Sequence, residues 1–394
     1  MYRLLNILFF ILPFPFILIN YILFEDVYES LYLVKHFVIL IITLFCVLLE
    51  SPFKKYRKNK RILILLLFLF LLYCLMNLLL LSNFNFQYFS FISSIIILLF
   101  FSFSFSKIPE GLRFLKTTYY SMLLILFVTI SISFIYDLPV NSKWQVLDGS
   151  FKVRWNFGYL HPGYLSSYCL LTGLLANFFI NKKILSKKHN SIIIISLIII
   201  ALTNTRNSML SLVLYLLISN LTVNYTYLKV ACFFVIAFVA NFINFELLNI
   251  FSSGRLELWL AHFIYNYDSF SLLWGTGFGN ANHLDFNKSF DENTIFHIDN
   301  YYFEILLQAG FVGFFLLLFI LFAIYKLIKK NKNVSIKRVS FAIFFTLLFY
   351  GFFDSGFLTT GNIVPIILWP LLFSQLRINT VERTLKSKNY IKNF

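Results

Sequence analysis

Charged residues are scarce in this sequence of 394 residues: they make up 13% of it, whereas 59% of its residues are hydrophobic. A soluble chain of this length would form two or three domains, but so apolar a composition excludes that class. Apolar runs of about 20 residues, the length that crosses about 30 Å of hydrocarbon, recur along the whole chain. We therefore expect a single integral membrane domain over residues 1–394.

Cysteine is rare as well, and its placement excludes two kinds of site. The four cysteines fall inside apolar runs, so the sequence offers no disulfide framework and no zinc spacing. There is no external Asp-x-Asp pair, and the acidic stretch at 284–293 (LDFNKSFDEN) matches a calcium loop poorly. We expect a protein that needs no metal and no cofactor.

The net charge of +16 does not indicate nucleic acid, because the basic residues form short clusters between apolar runs. Such clusters mark the cytoplasmic side of membrane proteins. All but seven of the 33 lysines and arginines fall on one side of the predicted topology. The seven others are Lys35, Lys143, Lys152, Arg154, Arg206, Arg255 and Lys288.

The apolar runs predict an all-α polytopic protein with about twelve transmembrane helices and both termini in the cytoplasm. The first helix has no small-residue cleavage site, so we expect it to be retained. The predicted spans are 4–24, 31–49, 62–82, 89–105, 118–136, 159–180, 191–203, 208–222, 230–246, 303–325, 339–353 and 363–376.

Two external connections hold most of the remaining polar residues: 138–158, and a large extracytoplasmic loop at 247–302 between the ninth and tenth helices. Long loops are usually functional or disordered. The large loop is rich in aromatic residues, so we expect it to fold. Its apolar spacing predicts a helix on the membrane surface that begins near Ser253 and presents Trp259 and Phe263 to lipid or to the bundle.

Arginines on the external side call for a negative partner, since selection for orientation keeps that side poor in positive charge. Arg206 and Arg255 lie there, and Arg154 lies nearby in FKVRWNF. A guanidinium offers a planar fork of donors that matches phosphate oxygens. Together these arginines predict an anion site, although each could also be a snorkelling or acid-paired side chain at a helix end.

Other polar residues lie at predicted helix ends on the same side. His161 precedes Pro162, which is compatible with the first turn of a helix; the histidine would serve either an anion site or a cap. His297, Asp299 and Asn300 end the large loop, and His or Asp is suited to take a proton from a hydroxyl.

Two features further along the chain complete the list of candidates. Asp354 is an acid near the outer end of the eleventh span and is a candidate for lining an acceptor path. Gly310 and Gly313 would let another helix approach closely.

These pieces occur in a fixed order: GYLHPG, TNTRNSMLSL, SSGRLELW, GTGFGN and HIDNYYFEILLQAGFVG. In that order the chain from about residue 155 onward resembles the Wzy polysaccharide polymerases and the related O-antigen ligases of bacterial envelopes. The resemblance implies a GT-C-like integral-membrane glycosyltransferase in the bacterial cytoplasmic membrane, with its active site on the extracytoplasmic face. Its donor and acceptor would be oligosaccharides linked to undecaprenyl diphosphate.

The resemblance also implies roles for single residues. Arg206 and Arg255 would hold the pyrophosphate, with Arg154, His161, Asn300 and Asp354 as further substrate-binding candidates. The ligases carry a histidine directly before the asparagine, whereas this chain has Asp299 there and His297 two residues earlier. The base is therefore Asp299, His297 or both.

The resemblance further implies a chain-length regulator and a flippase as partners. Three alternatives to a polymerase stay open: a ligase that transfers finished polysaccharide, a flippase or transporter for the lipid-linked oligosaccharide, and a structural or sensor protein of the envelope. The last alternative leaves the outward arginines unexplained, and the sequence shows no half-to-half repeat of the transporter kind.

Overall fold

A computed structural model gives the structure of residues 2–49, 58–81, 86–106, 108, 110–145, 151–220, 259–260, 269–277, 300–352, 354 and 357–376. The apolar run predicted as the ninth span, most of the large loop and the chain after residue 376 lie outside these described residues. The candidates Arg255, His297 and Asp299 lie outside them too.

The described residues are mostly helical, as the apolar runs predict. Two short 3-10 helices, Ile22–Val27 and Lys187–His189, connect longer elements. The α-helices are α1 (Tyr2–Ile11), α2 (Pro13–Leu18), α3 (Tyr28–Leu48), α4 (Lys58–Leu81), α5 (Phe86–Phe105), α6 (Gly111–Ile135), α7 (Pro162–Asn181), α8 (Asn190–Leu202), α9 (Arg206–Asn220), α10 (Ser269–Trp274), α11 (Tyr301–Lys329), α12 (Val334–Gly351) and α13 (Ile363–Leu376).

Five stretches of the described chain are long and apolar enough to cross a membrane. They are Ile22–Leu48, Gly111–Ile135, Pro162–Asn181, Tyr301–Lys329 and Val334–Gly351. Shorter apolar helices occupy the positions of most of the other predicted spans. The fold is therefore that of a helical membrane protein, and the count of twelve spans stays a prediction.

The predicted first span, 4–24, is not one continuous helix. Helix α1 ends at Ile11, and α2 begins with Pro13 at its first position. Proline has no N–H to donate and fixes its own φ, so it fits the first turn of a new helix better than a helix interior. The prolines in this stretch therefore divide a run that hydropathy alone joins.

The connection predicted at 138–158 contains a β-hairpin, which the all-α expectation omits. Strands β1 (Asn141–Gln145) and β2 (Phe151–Trp155) pair antiparallel, with Asn141 opposite Trp155. Beyond β2 the chain runs beside the end of α2, where Ile22 N donates to the carbonyl of Gly158 (2.9 Å). The hairpin therefore connects α6 to α7, and the chain passes the end of α2 on its way into α7.

Helix α7 is the most buried of the candidate spans, with 83% of its apolar window inside the bundle. It packs against α6, α8 and α9, and α9 packs in turn against α12. Polar side chains on successive residues of α7 reach different neighbours: Ser166 reaches α9, Ser167 reaches α12 and Tyr168 reaches α2. The start of α7 is thus shared by the two halves of the bundle.

Helix α11 is broken at Gly310, where φ is +61° and ψ is −170°. A Cβ at this position would collide with the backbone of Leu273, and one at Gly275 (φ +87°) would collide with the carbonyl of Gln308. Only glycine adopts such φ values without strain and leaves room for so close an approach. The close packing expected at Gly310 is therefore between the α10 segment and a break in α11.

The carbonyl groups that the break releases, at 307–309, find donors outside α11. The N–H of Thr276 donates to Leu307 (2.9 Å), and that of Gly277 donates to Gln308 (3.1 Å). The hydroxyl of Tyr73 on α4 donates to Ala309 (2.8 Å). Non-helical backbone inside a membrane protein needs such internal partners, since lipid offers none.

The bundle has one basic end. Helices α7 and α11 begin at one end of the bundle and end at the other, where the Lys-rich segments 182–188 and 326–338 lie. The Tyr119 hydroxyl near the start of α6 lies 2.9 Å from Nδ1 of His189, which brings Arg113 and Lys116 to the same end. Basic residues therefore gather at one end of the described bundle, which we call the basic end.

Candidate functional site

Helix ends converge at the opposite end of the bundle, which we call the site end. The first residues of α7, α9, α11 and α13 meet the last residues of α12 there. Helix starts present unpaired N–H groups and a positive dipole end. The described candidates His161, Arg206, Asn300 and Asp354 all belong to these helix ends.

His161 is the N-cap of α7, and Pro162 is the first helical residue, as the sequence predicts. Nδ1 of His161 accepts a hydrogen bond from the N–H of Gly163 (3.0 Å). A nitrogen that accepts cannot carry the proton, so this bond assigns the ring hydrogen to Nε2. His161 is thus a capping residue, and Nε2 is the atom with which it would serve a substrate.

Arg206 is the first residue of α9, and its side chain is exposed. It follows the sharp turn between α8 and α9, in which Asn204 has a φ of +51°. Two residues further, the hydroxyl of Ser208 lies 2.9 Å from that of Ser166 on α7. This bond ties the start of α9 to the start of α7, so Arg206 belongs to a positive helix end that packs near the helix start capped by His161.

A chain of hydrogen bonds links the end of α12 to the start of α7. The Asn362 amide donates to the Tyr350 hydroxyl (2.8 Å), and the Tyr350 and Ser167 hydroxyls are 2.9 Å apart. Ser167 in turn donates to the carbonyl of Gly163 (2.8 Å). The Tyr350 hydroxyl has one proton and also hydrogen-bonds the Asp354 carboxylate, so either hydroxyl can be the donor in the Tyr350–Ser167 pair.

Asp354 enters this chain through Asn362, whose amide also donates to Oδ2 of Asp354 (3.2 Å). The carbonyl oxygen of Asn362 accepts from the N–H of Val364 (2.9 Å), which fixes the orientation of the amide. Asp354 is half-buried, whereas Tyr350 is 1% exposed. The carboxylate therefore lies at the surface end of a buried, oriented network.

Asn300 caps α11 at the same end, where its Oδ1 accepts from the N–H of Phe303 (3.0 Å). It is 5% exposed. Its oxygen is committed to the cap, so Nδ2 is the atom with which Asn300 would donate to a sugar or to a neighbour. The ring of the next residue, Tyr301, lies 5.4 Å from that of Phe357, which brings this helix start beside the α12–α13 connection.

Arg154 lies on β2, opposite Ser142 in the hairpin. It is half-buried and precedes His161 by seven residues. The hairpin that carries Arg154 connects α6 to α7, so Arg154 lies on the segment that leads to His161. Its assignment to substrate binding stays a prediction, as do the roles of Arg255, His297 and Asp299.

Sequence reasoning missed several polar residues of the site end. Tyr350 and Ser167 lie in apolar runs, so the sequence alone gives no reason to distinguish them from packing residues. Glu304 was missed as well: it is 8% exposed, one turn into α11, and accepts from the Gln308 amide (3.1 Å). An acid inside an apolar helix is a signal of function that could have been used.

Trp259 belongs to the segment for which we predicted a surface helix, and Trp259 and Leu260 are helical. The Trp259 ring stacks on that of Phe303, with centroids 6.2 Å apart. Of the two surroundings predicted for this residue, the structure shows contact with the bundle.

Residues 191–318 match a family model described as O-Antigen ligase. The matched segment includes α8, α9 and α10 and extends beyond the break in α11, so it contains both Arg206 and Asn300. No curated protein matches the chain. The match over residues 191–318 confirms, for this part of the chain, the resemblance to the O-antigen ligases and polysaccharide polymerases that was drawn from the sequence motifs.

Proposed function

We propose that this protein is a polysaccharide polymerase that joins oligosaccharide repeat units carried on undecaprenyl diphosphate. The observation that carries the proposal is the convergence of four described candidates, His161, Arg206, Asn300 and Asp354, at one end of a bundle in which residues 191–318 match the O-antigen ligase family.

Arg206 would bind the diphosphate of the donor, together with Arg255. The guanidinium at the start of α9 combines a permanent charge with the positive end of a helix. Both favour an anion, and both stabilise the charge that develops on a diphosphate as it departs. The Ser166–Ser208 bond holds this helix start in place.

In the reaction, the acceptor hydroxyl gives its proton to Asp299 or His297, and its oxygen forms a bond to the anomeric carbon of the donor sugar. The bond from that carbon to the diphosphate oxygen breaks, and the electron pair leaves with the diphosphate. No metal takes part in this scheme. The reaction is accelerated because a positioned base removes the proton and because positive groups stabilise the leaving group.

The acceptor sugar would lie along the half-buried Asp354 and Asn362, which the buried Tyr350 supports from within the bundle. This network is oriented by its own hydrogen bonds before any substrate arrives. Preoriented polar groups lose little freedom on binding, so they fix the position of a hydroxyl at low cost.

We further propose that the site end faces away from the cytoplasm and the basic end faces it, in the bacterial cytoplasmic membrane. The gathering of lysine and arginine at the basic end agrees with the rule that cytoplasmic loops are positively charged. The lipid-linked units would be delivered by a flippase, and a chain-length regulator would limit the product.

Two other functions share these features. A ligase that hands finished polysaccharide to another acceptor would use the same family fold. A flippase is favoured by one specific observation, the break of α11 at Gly310, because broken helices are common at transporter binding sites. The position of the candidates at helix ends rather than at mid-membrane depth favours the enzyme.

The test is the length distribution of surface polysaccharide on a gel after the native gene is deleted and returned. Wild type should restore a ladder, whereas Asp299→Asn, His297→Ala and Arg255→Ala at matched protein levels separate the candidate roles. Collapse of the ladder to a single anchored repeat unit supports a polymerase. Lipid-linked polymer without surface polysaccharide would instead indicate a ligase, and single lipid-linked units retained inside would indicate a flippase.

A further inference from the structure

Lys35 is a basic residue on α3, within a stretch long enough to span the membrane, and its side chain is buried in the bundle. It lies two turns into α3, and its side chain is 4% exposed. It is one of the few basic residues that the predicted topology does not place on the cytoplasmic side. Its neighbours in sequence, Leu33, Val34 and Phe37, are exposed on the outer surface of the bundle, so Lys35 alone of this group points inward.

Two aromatic rings surround the Lys35 ammonium. Nζ lies 4.3 Å from the ring centroid of Tyr32 and 5.4 Å from that of Phe16 on α2. No carboxylate or other hydrogen-bond acceptor among the described residues binds it. The three acidic side chains near the start of α3, those of Glu25, Asp26 and Glu29, are exposed. Cation–π contacts offset only part of the cost of burying a charge, so within the described part of the chain the ammonium has no anion to balance it.

Lys35 also lies close to the site end. The carbonyl of Phe16, whose ring contacts the ammonium, accepts hydrogen bonds from Asn20 (2.8 Å) and from the Tyr168 hydroxyl. Tyr168 follows Ser167, which binds Tyr350 in the site network. Lys35 is thus on the opposite side of α7 from Arg206.

We propose that Lys35 is a second anion site, which binds the phosphate group of the lipid that carries the acceptor. This inference rests on the proposed function, because a polymerase must hold two lipid-linked units at once, whereas Arg206 and Arg255 account for one. The flanking surface of α3 faces lipid, so an anion that reaches Lys35 arrives attached to a lipid. The aromatic rings shield the ammonium from water and strengthen its attraction for a phosphate.

The experiment counts lipid phosphates retained by the purified full chain, by native mass spectrometry, with undecaprenyl monophosphate as the probe. Wild type should retain two, Lys35→Arg two and Lys35→Met one, with the second dissociation constant raised at least about tenfold in Lys35→Met. Lys182→Met is the matched control: Lys182 lies 6.0 Å from the Phe178 ring at the basic end, and its loss should leave two.

Two results would overturn the inference: retention of two probes by Lys35→Met, or saturation of the second position by phosphatidylglycerol, which would make it a site for bulk anionic lipid. Misfolding is monitored by the melting temperature without lipid, which should stay level or rise in Lys35→Met because an unpaired buried charge is removed. The gel ladder decides the proposed function separately. If the ladder depends on the gene but Lys35→Met still retains two probes, only the anion site is rejected. If Lys35→Met retains one probe but the ladder does not depend on the gene, only the polymerase is rejected.

Discussion

At the scale of the residue, Arg206 illustrates how position adds to side-chain chemistry. The same side chain at the basic end would be one charge among many, whereas at the start of α9 it lies at a positive helix end on a side poor in lysine and arginine. An anion bound there interacts with the guanidinium and with the backbone N–H groups together.

We therefore expect Arg206→Lys to reduce transfer by about tenfold to a hundredfold, because lysine keeps the charge but loses the planar fork, and a charged hydrogen bond contributes about 1.5–3 kcal/mol. The rate of polymer formation in membranes measures this. Arg113→Lys is the matched control: Arg113 is exposed at the basic end and lies 3.4 Å from Glu110. Full activity in Arg206→Lys would exclude a bidentate role.

The same scale explains which site residues sequence could and could not predict. The positions of His161 and Arg206 at helix starts were predictable because Pro162 and the polar run around Arg206 interrupt apolar stretches, and such interruptions are visible in the sequence. Tyr350 was not, because it differs from a packing residue only through partners such as Ser167, which is 183 positions away.

At the scale of the element, the break in α11 separates a short half-helix, which starts at Asn300, from the long apolar remainder. The half-helix carries Asn300 and Glu304 and directly follows the predicted catalytic pair. Its position depends on contacts from α10 and α4 at the break, so these segments set where the start of α11 lies relative to the other helix ends.

We expect Gly310→Ala to destabilise the protein by at least about 2 kcal/mol, because a non-glycine residue at φ +61° and ψ −170° is strained and its Cβ would meet the Leu273 backbone. The melting temperature of the purified protein measures the loss. Gly361→Ala is the control, since its Cβ would meet only the Thr359 hydroxyl at 3.4 Å. Equal melting temperatures for Gly310→Ala and Gly361→Ala would contradict the helix break at Gly310.

Elements differed in how well the sequence predicted them. Helices α3, α6 and α7 were predicted within a few residues, except that α6 starts seven residues earlier, because an uninterrupted apolar run determines them locally. The break was not predicted, since Gly310 in a helical run also suits close helix packing. A helix break differs from plain helix packing in needing hydrogen-bond donors for the released carbonyl groups. Here the donors are Tyr73, Thr276 and Gly277, which come from distant parts of the chain.

At the scale of the whole molecule, the two ends of the bundle differ in chemistry. The basic end carries the lysine-rich connections, and the site end carries the capping and network residues. A membrane that favours positive charge on its cytoplasmic side orients such a molecule in one way. That orientation would place the sugar chemistry where lipid-linked units are exposed after translocation, which links the topology to the proposed function.

Cysteine labelling tests this orientation. Ser252→Cys and Asn287→Cys fall in the predicted outer loop and should react with a membrane-impermeant thiol reagent in spheroplasts. Ser186→Cys, an exposed position at the basic end, should react only after permeabilisation. Of the four native thiols, those of Cys46, Cys74 and Cys169 are buried, so these three should add little background.

The pattern of labelling, rather than any one site, carries the conclusion. If both loop positions were protected and Ser186→Cys were labelled in sealed spheroplasts, the orientation would be the reverse of the one proposed. The site end would then face the cytoplasm. Lipid-linked units would have to be joined before translocation in that case, and Arg206 would lie on the side where positive charge needs no special cause. The argument for an anion site at α9 would then rest on the helix start alone.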